Sequence, residues 1–155
     1  MLNEGERAPK FELPNQDGET VALSDFEGQH VVVYFYPRAN TEGCTKQAES
    51  CRDEWETYRE RDVAVLGISD DPVEDLADFA DEFELPFHLL SDVEGEVATL
   101  YESYGEKQLF GNTFDGTFRN TYLVAPDGTI ERAMEGVDPV DHAEDVLAEL
   151  ATKNA

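Results

Sequence analysis

Basic residues are scarce in this chain. Its 155 residues hold eleven lysines and arginines against thirty-six aspartates and glutamates, a formal charge of −25. Only four of the eleven are lysines: Lys10, Lys46, Lys107 and Lys153. Phosphate recognition rests on lysine and arginine, so nucleic-acid binding is excluded as a function class. The acids are spread along the whole chain, which leaves two readings. One is an acidic face for a basic partner. The other is a surface adapted to concentrated salt, and spread-out acid with little lysine favours this second, halophilic reading. At molar salt the Debye length is about 3 Å, so the self-repulsion of such a surface is largely screened.

Long apolar runs are also absent, and no stretch approaches the ~18 residues of a membrane span. The segment Met1-Leu2-Asn3-Glu4-Gly5-Glu6 has neither the basic nor the apolar region of a signal peptide. No membrane partner and a cytoplasmic location are therefore expected. Cysteine is limited to Cys44 and Cys51. In a cytosolic chain of this length, two cysteines are expected to be reactive or buried, not a structural bridge. No Cys-x-x-Cys, Gly-rich nucleotide loop or Walker sequence occurs. His30, His88 and His142 are scattered, without metal-ligand spacing, and are read as structural. Neither a metal nor a cofactor is expected.

The length suits one domain, 1–155, with a core of its own and no linker, repeat or low-complexity tract. Phe11–Pro14 and Thr20–Leu23 flank Asn15-Gln16-Asp17-Gly18, a turn signal that predicts an N-terminal hairpin. His30–Tyr36 is a continuous β-branched and aromatic run, which reads as a strand buried on both faces. A helix is predicted from Thr41 or Cys44 to Arg61, then a second buried strand over Val63–Ile68. Asp71 followed by Pro72 predicts an N-cap and a first helical proline, with Val73, Leu76, Ala77, Ala80 and Phe83 keeping helical period behind them. Asp70 and Asp71 are read as capping residues in preference to calcium ligands.

A short strand is expected over Phe87–Leu90 and a short helix over Val93–Tyr101. Arg119–Ala125 and Thr129–Met134 pair across Pro126-Asp127-Gly128 as a hairpin. Asp138-Pro139 starts a last helix, with Val140, Ala143, Val146, Leu147 and Leu150 on its apolar face. Hairpin, β, α, β, α, hairpin, α describes a thioredoxin-like α/β fold: a mixed central sheet flanked by helices, with an N-terminal β-hairpin.

Chemistry concentrates in Pro37-Arg38-Ala39-Asn40-Thr41-Glu42-Gly43-Cys44-Thr45. A buried strand delivers the chain to a loop that sets a cysteine in the first turn of a helix. Unpaired N–H groups and the helix dipole there favour a thiolate, the nucleophilic form of cysteine. Gly43 allows close approach to whatever Cys44 attacks. Thr41 offers a hydroxyl one turn earlier, and Pro37 removes a donor and fixes the path into the loop. From the residues alone, a merely buried cysteine at a strand–helix junction is the competing reading.

The pattern Pro37-x-x-x-Thr41-x-x-Cys44 resembles the active-site signature of the peroxiredoxins. Tyr34-Phe35-Tyr36-Pro37 and Gly43-Cys44-Thr45-Lys46-Gln47-Ala48, with Arg52-Asp53, are similar to the bacterioferritin comigratory protein (PrxQ) subfamily. The likeness continues in Gly67-Ile68-Ser69, Tyr104-Gly105-Glu106-Lys107 and Arg119-Asn120-Thr121-Tyr122-Leu123. The resemblance implies a thiol peroxidase in antioxidant defence, acting on hydrogen peroxide and organic hydroperoxides. Cys44 would be the peroxidatic cysteine, passing through a sulfenic acid. Thr41 would hydrogen-bond the sulfur and the peroxide oxygen, and Pro37 would shield the thiolate. Arg119 would stabilise developing negative charge, with Gln47 holding it in place. A thioredoxin-like protein or a low-molecular-weight thiol would restore the enzyme, as a monomer or weak homodimer. A thiol-based redox sensor and a non-enzymatic interaction module are the alternatives.

Two departures from the subfamily stand out. Glu42 occupies a position where relatives often have proline, and a carboxylate beside a thiolate opposes its ionisation. Many relatives carry a resolving cysteine five residues after the first, where this chain has Glu49. Cys51, seven residues on, is either the resolver or a core residue. Cys44, Ala48, Cys51, Trp55 and Tyr58 fall on one helical stripe, which suits the core. Seven helical residues rise about 10.5 Å, beyond the ~7 Å Cα separation of a disulfide, so a resolving role requires the helix to unwind.

Overall fold

The computed structural model describes residues 2–37, 42–109, 111–134 and 146. Its first elements are the expected hairpin, β1 (Glu12–Pro14) and β2 (Thr20–Ala22), with Leu13 opposite Val21. Asn15 makes the turn, because its Oδ1 accepts the N–H groups of both Asp17 and Glu19. A 3-10 turn, Leu23–Phe26, leads to β3 (His30–Phe35).

The single helix expected up to Arg61 is divided into α1 (Glu42–Asp53) and α2 (Trp55–Glu60). Glu54, at φ −98° and ψ 8°, departs from helical geometry. The hydrogen-bond ladder nevertheless runs through it: Glu54 N–H donates to Ser50 at 3.3 Å, and Tyr58 N–H to Glu54 at 3.1 Å. The expected core stripe is present, with Cys44, Ala48, Cys51 and Tyr58 buried and Trp55 packed against them.

Strand β4 (Val63–Ser69) precedes α3 (Val73–Phe83), where the expected cap is displaced by one residue. Pro72, at φ −70° and ψ 161°, is the N-cap, and its carbonyl accepts from Asp75 and Leu76. Neither Asp70 nor Asp71 caps the helix. Asp71 instead ties two strand ends together: its Oδ2 accepts from the Ser69 hydroxyl at 2.8 Å, and its carbonyl from the Ser91 hydroxyl at 2.6 Å.

After β5 (His88–Ser91), the helix expected over Val93–Tyr101 is α4 (Glu96–Leu100). It starts late because the buried Asp92 carboxylate receives the N–H groups of Val97 and Ala98 at 3.2 and 2.9 Å, which fixes the first turn. A hairpin absent from the sequence reading follows, β6 (Tyr104–Leu109) with β7 (Asn112–Thr117). Its strands lack the apolar alternation that marks a half-buried strand. Gly111, at φ 80°, supplies the left-handed turn residue.

The predicted hairpin near the C-terminal end is β8 (Thr121–Val124) and β9 (Ile130–Met134). Arg119 stands just before β8, not within it. The last helix, with Asp138-Pro139 and His142, lies outside the described residues except for Val146, which is helical and buried.

The main sheet runs β5-β4-β3-β8-β9, with β3, β4 and β5 parallel and β8 and β9 antiparallel. This is the mixed sheet of a thioredoxin-like fold. Side chains alternate along β3. Val32 and Tyr34, with Tyr36 beyond them, face Cys44, Ala48, Cys51, Leu76 and Phe79. Val31, Val33 and Phe35 face Phe11, Leu23, Val97, Tyr101 and Tyr122. Covering on both faces explains why the strand reads as an unbroken apolar run. Gly67 pairs with Tyr34, and a Cβ at Gly67 would lie 2.7 Å from the tyrosine ring. Among the described residues, no helix is long and apolar enough to cross a membrane.

Candidate active site

Strand β3 brings the chain to the site along the middle of the sheet. Tyr36 N–H extends the parallel pairing by donating to Ile68 at 3.1 Å, and the half-buried Pro37 then turns the chain out. Helix α1 starts at Glu42, so Cys44 is its third residue, in the turn whose N–H groups lack helical acceptors. The positive end of the helix dipole favours negative charge there. Cys44 is a free cysteine, 2% exposed, packed in the same core cluster as Tyr34, Tyr36, Ala48 and Cys51. Thr41 lies outside the described residues, as does the side chain of Glu42.

Gln47 is one turn after Cys44, a rise of about 4.5 Å along the helix, and is fully buried. Arg119 donates from Nη1 to its Oε1 at 2.7 Å. A guanidinium can only donate, which fixes the orientation of the Gln47 amide. Gln47 Nε2 is buried and has no hydrogen-bond partner among the described residues. Two expected site residues, distant by 72 positions, are thus joined, and Arg119 is held against helix α1 one turn after Cys44.

Arg119 has its own support, which the sequence reading misses. Asn120 is buried and donates from Nδ2 to the Ser103 hydroxyl at 3.1 Å, while that hydroxyl donates to the Tyr101 carbonyl at 3.0 Å. Phe118 N–H donates to Ser103 at 2.7 Å, and Phe35 N–H to Asn120 at 2.8 Å. Residues 118 and 120 are therefore pinned on both sides of the arginine. The hairpin β6/β7 delivers the chain to this anchor. The local signal is Asn120 itself, an amide directly before a buried strand.

Aromatic residues wall the site. Tyr34 and Tyr36 lie with ring centroids 5.5 Å apart. Burial pushes the Tyr34 phenol well up, and Cys51, Tyr36 and Cys44 add to the effect. Burial also raises the Tyr36 phenol strongly, partly offset by the Ser69 hydroxyl and reinforced by Asp71 and Cys44. Both phenols stay neutral through the physiological range and can offer O–H donors but no anion.

Cys51 sits in the last turn of α1, fully buried. Burial pushes its thiol well above the ordinary cysteine value. It is not joined to Cys44, and both are thiols in this structure. His30 lies 3.3 Å from Glu131, and His88 Nδ1 lies 3.3 Å from Asn15 Nδ2; neither histidine is near Cys44 in sequence.

The chain is similar to known proteins over nearly all of its length. The sequence profile of the AhpC/TSA family matches residues 5–133. Peroxiredoxin Bcp of Escherichia coli K12 is 46% identical over 146 residues, covering 94% of each chain. Among solved structures, a cysteine-to-serine mutant of PrxQ from Xylella fastidiosa superposes with a TM-score of 0.94 at 26% identity, over 100% of this chain and 99% of its own. The Xanthomonas campestris bacterioferritin comigratory protein, described for alkyl peroxide reduction, has a TM-score of 0.91 at 25% identity, over 99% of this chain and 100% of its own.

Proposed function

For this chain, which belongs to the AhpC/TSA family, we propose a peroxidase cycle centred on Cys44. The protein is a thiol-dependent peroxidase of the Bcp/PrxQ kind. The Cys44 thiolate attacks one peroxide oxygen, an S–O bond forms and the O–O bond breaks. Hydroxide or alkoxide leaves and takes a proton, and the sulfur remains as a sulfenic acid. One thiol then condenses with it, releasing water, and a second thiol frees Cys44 by exchange.

The observation that carries this reading is the 2.7 Å bond between Arg119 and Gln47. We take this bond to aim a permanent positive charge toward Cys44, one helical turn away, where the thiolate and the leaving oxygen would carry negative charge. Thr41 is assigned the hydroxyl that orients sulfur and peroxide. Pro37 limits water access, Gly43 keeps the approach open and Gln47 positions the arginine. Hydrogen peroxide and organic hydroperoxides are the proposed substrates, the latter in line with the alkyl peroxide reduction ascribed to the Xanthomonas protein. A thioredoxin-like protein or a small thiol is the proposed reductant, in an antioxidant role. We further assign one domain over 1–155, a cytoplasmic location, a monomer or weak homodimer, and a salt-adapted surface.

Peroxide consumption with an added thiol tests the assignment. Wild type should turn over and Cys44→Ser should not. Turnover that survives Cys44→Ser sinks it, and stoichiometric oxidation without turnover moves the protein to the redox-sensor class.

A further inference from the structure

We propose that the thiol that resolves Cys44 sulfenic acid always comes from another molecule, and that Cys51 is a core residue that takes no part in the cycle. The inference rests on the peroxidase reading above and specifies its reductant.

Three observations carry it. First, Cys51 is the only other cysteine in the sequence, so any internal disulfide must use it. Second, both cysteines lie on one helix, α1, seven residues apart, which separates them by about 10.5 Å along the axis. A disulfide tolerates Cα separations only up to about 7 Å. Third, Cys51 lies at the far end of that helix, fully buried and packed with Tyr34, Tyr58 and Leu76. The same turn is tied down by Arg52, whose Nη1 donates to the Phe83 carbonyl at the end of α3 at 2.9 Å.

Unwinding the first turn of α1 releases Cys44 alone. Bringing Cys51 to meet it requires loss of the last turn, of the Arg52–Phe83 bond and of the core contacts beneath. Burial also keeps the Cys51 thiol protonated, whereas condensation and exchange need a thiolate. The same burial prevents Cys51 from reaching the Cys44 of a second copy.

The chemistry balances without it. Cys44–SOH and an external R–SH give Cys44–S–S–R and water. A second R–SH, or the partner thiol of a dithiol protein, gives Cys44–SH and the oxidised donor. A monothiol and a thioredoxin-type dithiol supply the same sulfur chemistry and differ in whether one donor molecule or two are consumed.

Intact mass after one equivalent of hydrogen peroxide tests this. The expected wild-type product gains one oxygen and retains one alkylatable thiol after denaturation, at Cys51. Added 2-mercaptoethanol should convert it to a mixed disulfide on Cys44, consuming two donors per turnover, while thioredoxin should consume one. Cys51→Ala should keep turnover to within about twofold. A wild-type product lighter by two hydrogens, with no free thiol left, overturns the inference. So does a folded Cys51→Ala that no longer turns over. Because the mass experiment uses wild type, it decides even if Cys51→Ala does not fold. Cys44 that takes up no oxygen at all would instead show the failure of the peroxidase reading, and this inference would fall with it.

Discussion

Arg119 and Gln47 meet through a single hydrogen bond of 2.7 Å, and it links the end of the β6/β7 hairpin region to the helix bearing Cys44. The acceptor is fully buried and comes from the same helix as Cys44, one turn along. Removing it should leave the guanidinium present but loosely aimed. Gln47→Leu is expected to slow Cys44 oxidation about tenfold, close to 1.4 kcal/mol of barrier. Gln47→Glu still accepts from Arg119 but adds a negative charge one turn from Cys44, and should recover only part of the rate. Stopped-flow measurement of sulfenic acid formation checks both, and equal rates for Leu and wild type would dismiss Gln47 as a positioning residue.

Loss of Arg119 should cost more, because the proposed cycle has its charge act on the reacting atoms. Arg119→Met is expected to lower the oxidation rate about 100-fold, with the thermal midpoint little changed since the side chain is only partly buried. Arg119→Lys retains the charge but not the planar fork, and should fall between the two. The same stopped-flow assay reads the series.

The anchor behind the arginine predicts a mixed effect. Asn120→Ala leaves the buried Ser103 hydroxyl without that donor and frees one flank of Arg119. A destabilisation of about 1–3 kcal/mol is expected for the disturbed buried group, together with slower Cys44 oxidation. Urea unfolding separates the stability effect from the kinetic one. An unchanged oxidation rate in the folded variant would confine Asn120 to a structural role.

Salt provides a test that involves the whole surface. With a formal charge of −25, self-repulsion grows as the Debye length lengthens from about 3 Å at molar salt to about 30 Å at 0.01 M. The melting temperature should fall on dialysis into dilute buffer and recover in either sodium or potassium chloride. A melting temperature independent of salt would remove the case for salt adaptation.

The parts of the fold that announce themselves in sequence are those with local causes. His30–Phe35 is apolar on both faces because both faces of β3 are covered, and the Asn15 turn makes its own hydrogen bonds. Cys44 is legible for a similar reason, since a strand, a proline and a helix start fall within a few residues. The features hidden from the sequence have non-local causes. The β6/β7 ladder pairs polar residues such as Glu106 with Asp115, so no apolar alternation betrays it. Asp71 looks like a cap until Ser69 and Ser91 compete for it. The bond from Arg119 to Gln47 spans 72 residues, and only the family likeness points to it.

Tyr34 over Gly67 has a consequence for how this site can change over time. No methyl fits at position 67 while a tyrosine ring stands 2.7 Å from where it would go. A smaller residue at position 34 would make the space, but Tyr34 also packs in the cluster that holds Cys44. The gap would then open beneath the nucleophile's own helix. Each position thus locks the other, and drift at either is blocked unless a third residue, drawn from the same cluster, enlarges at once to refill the volume.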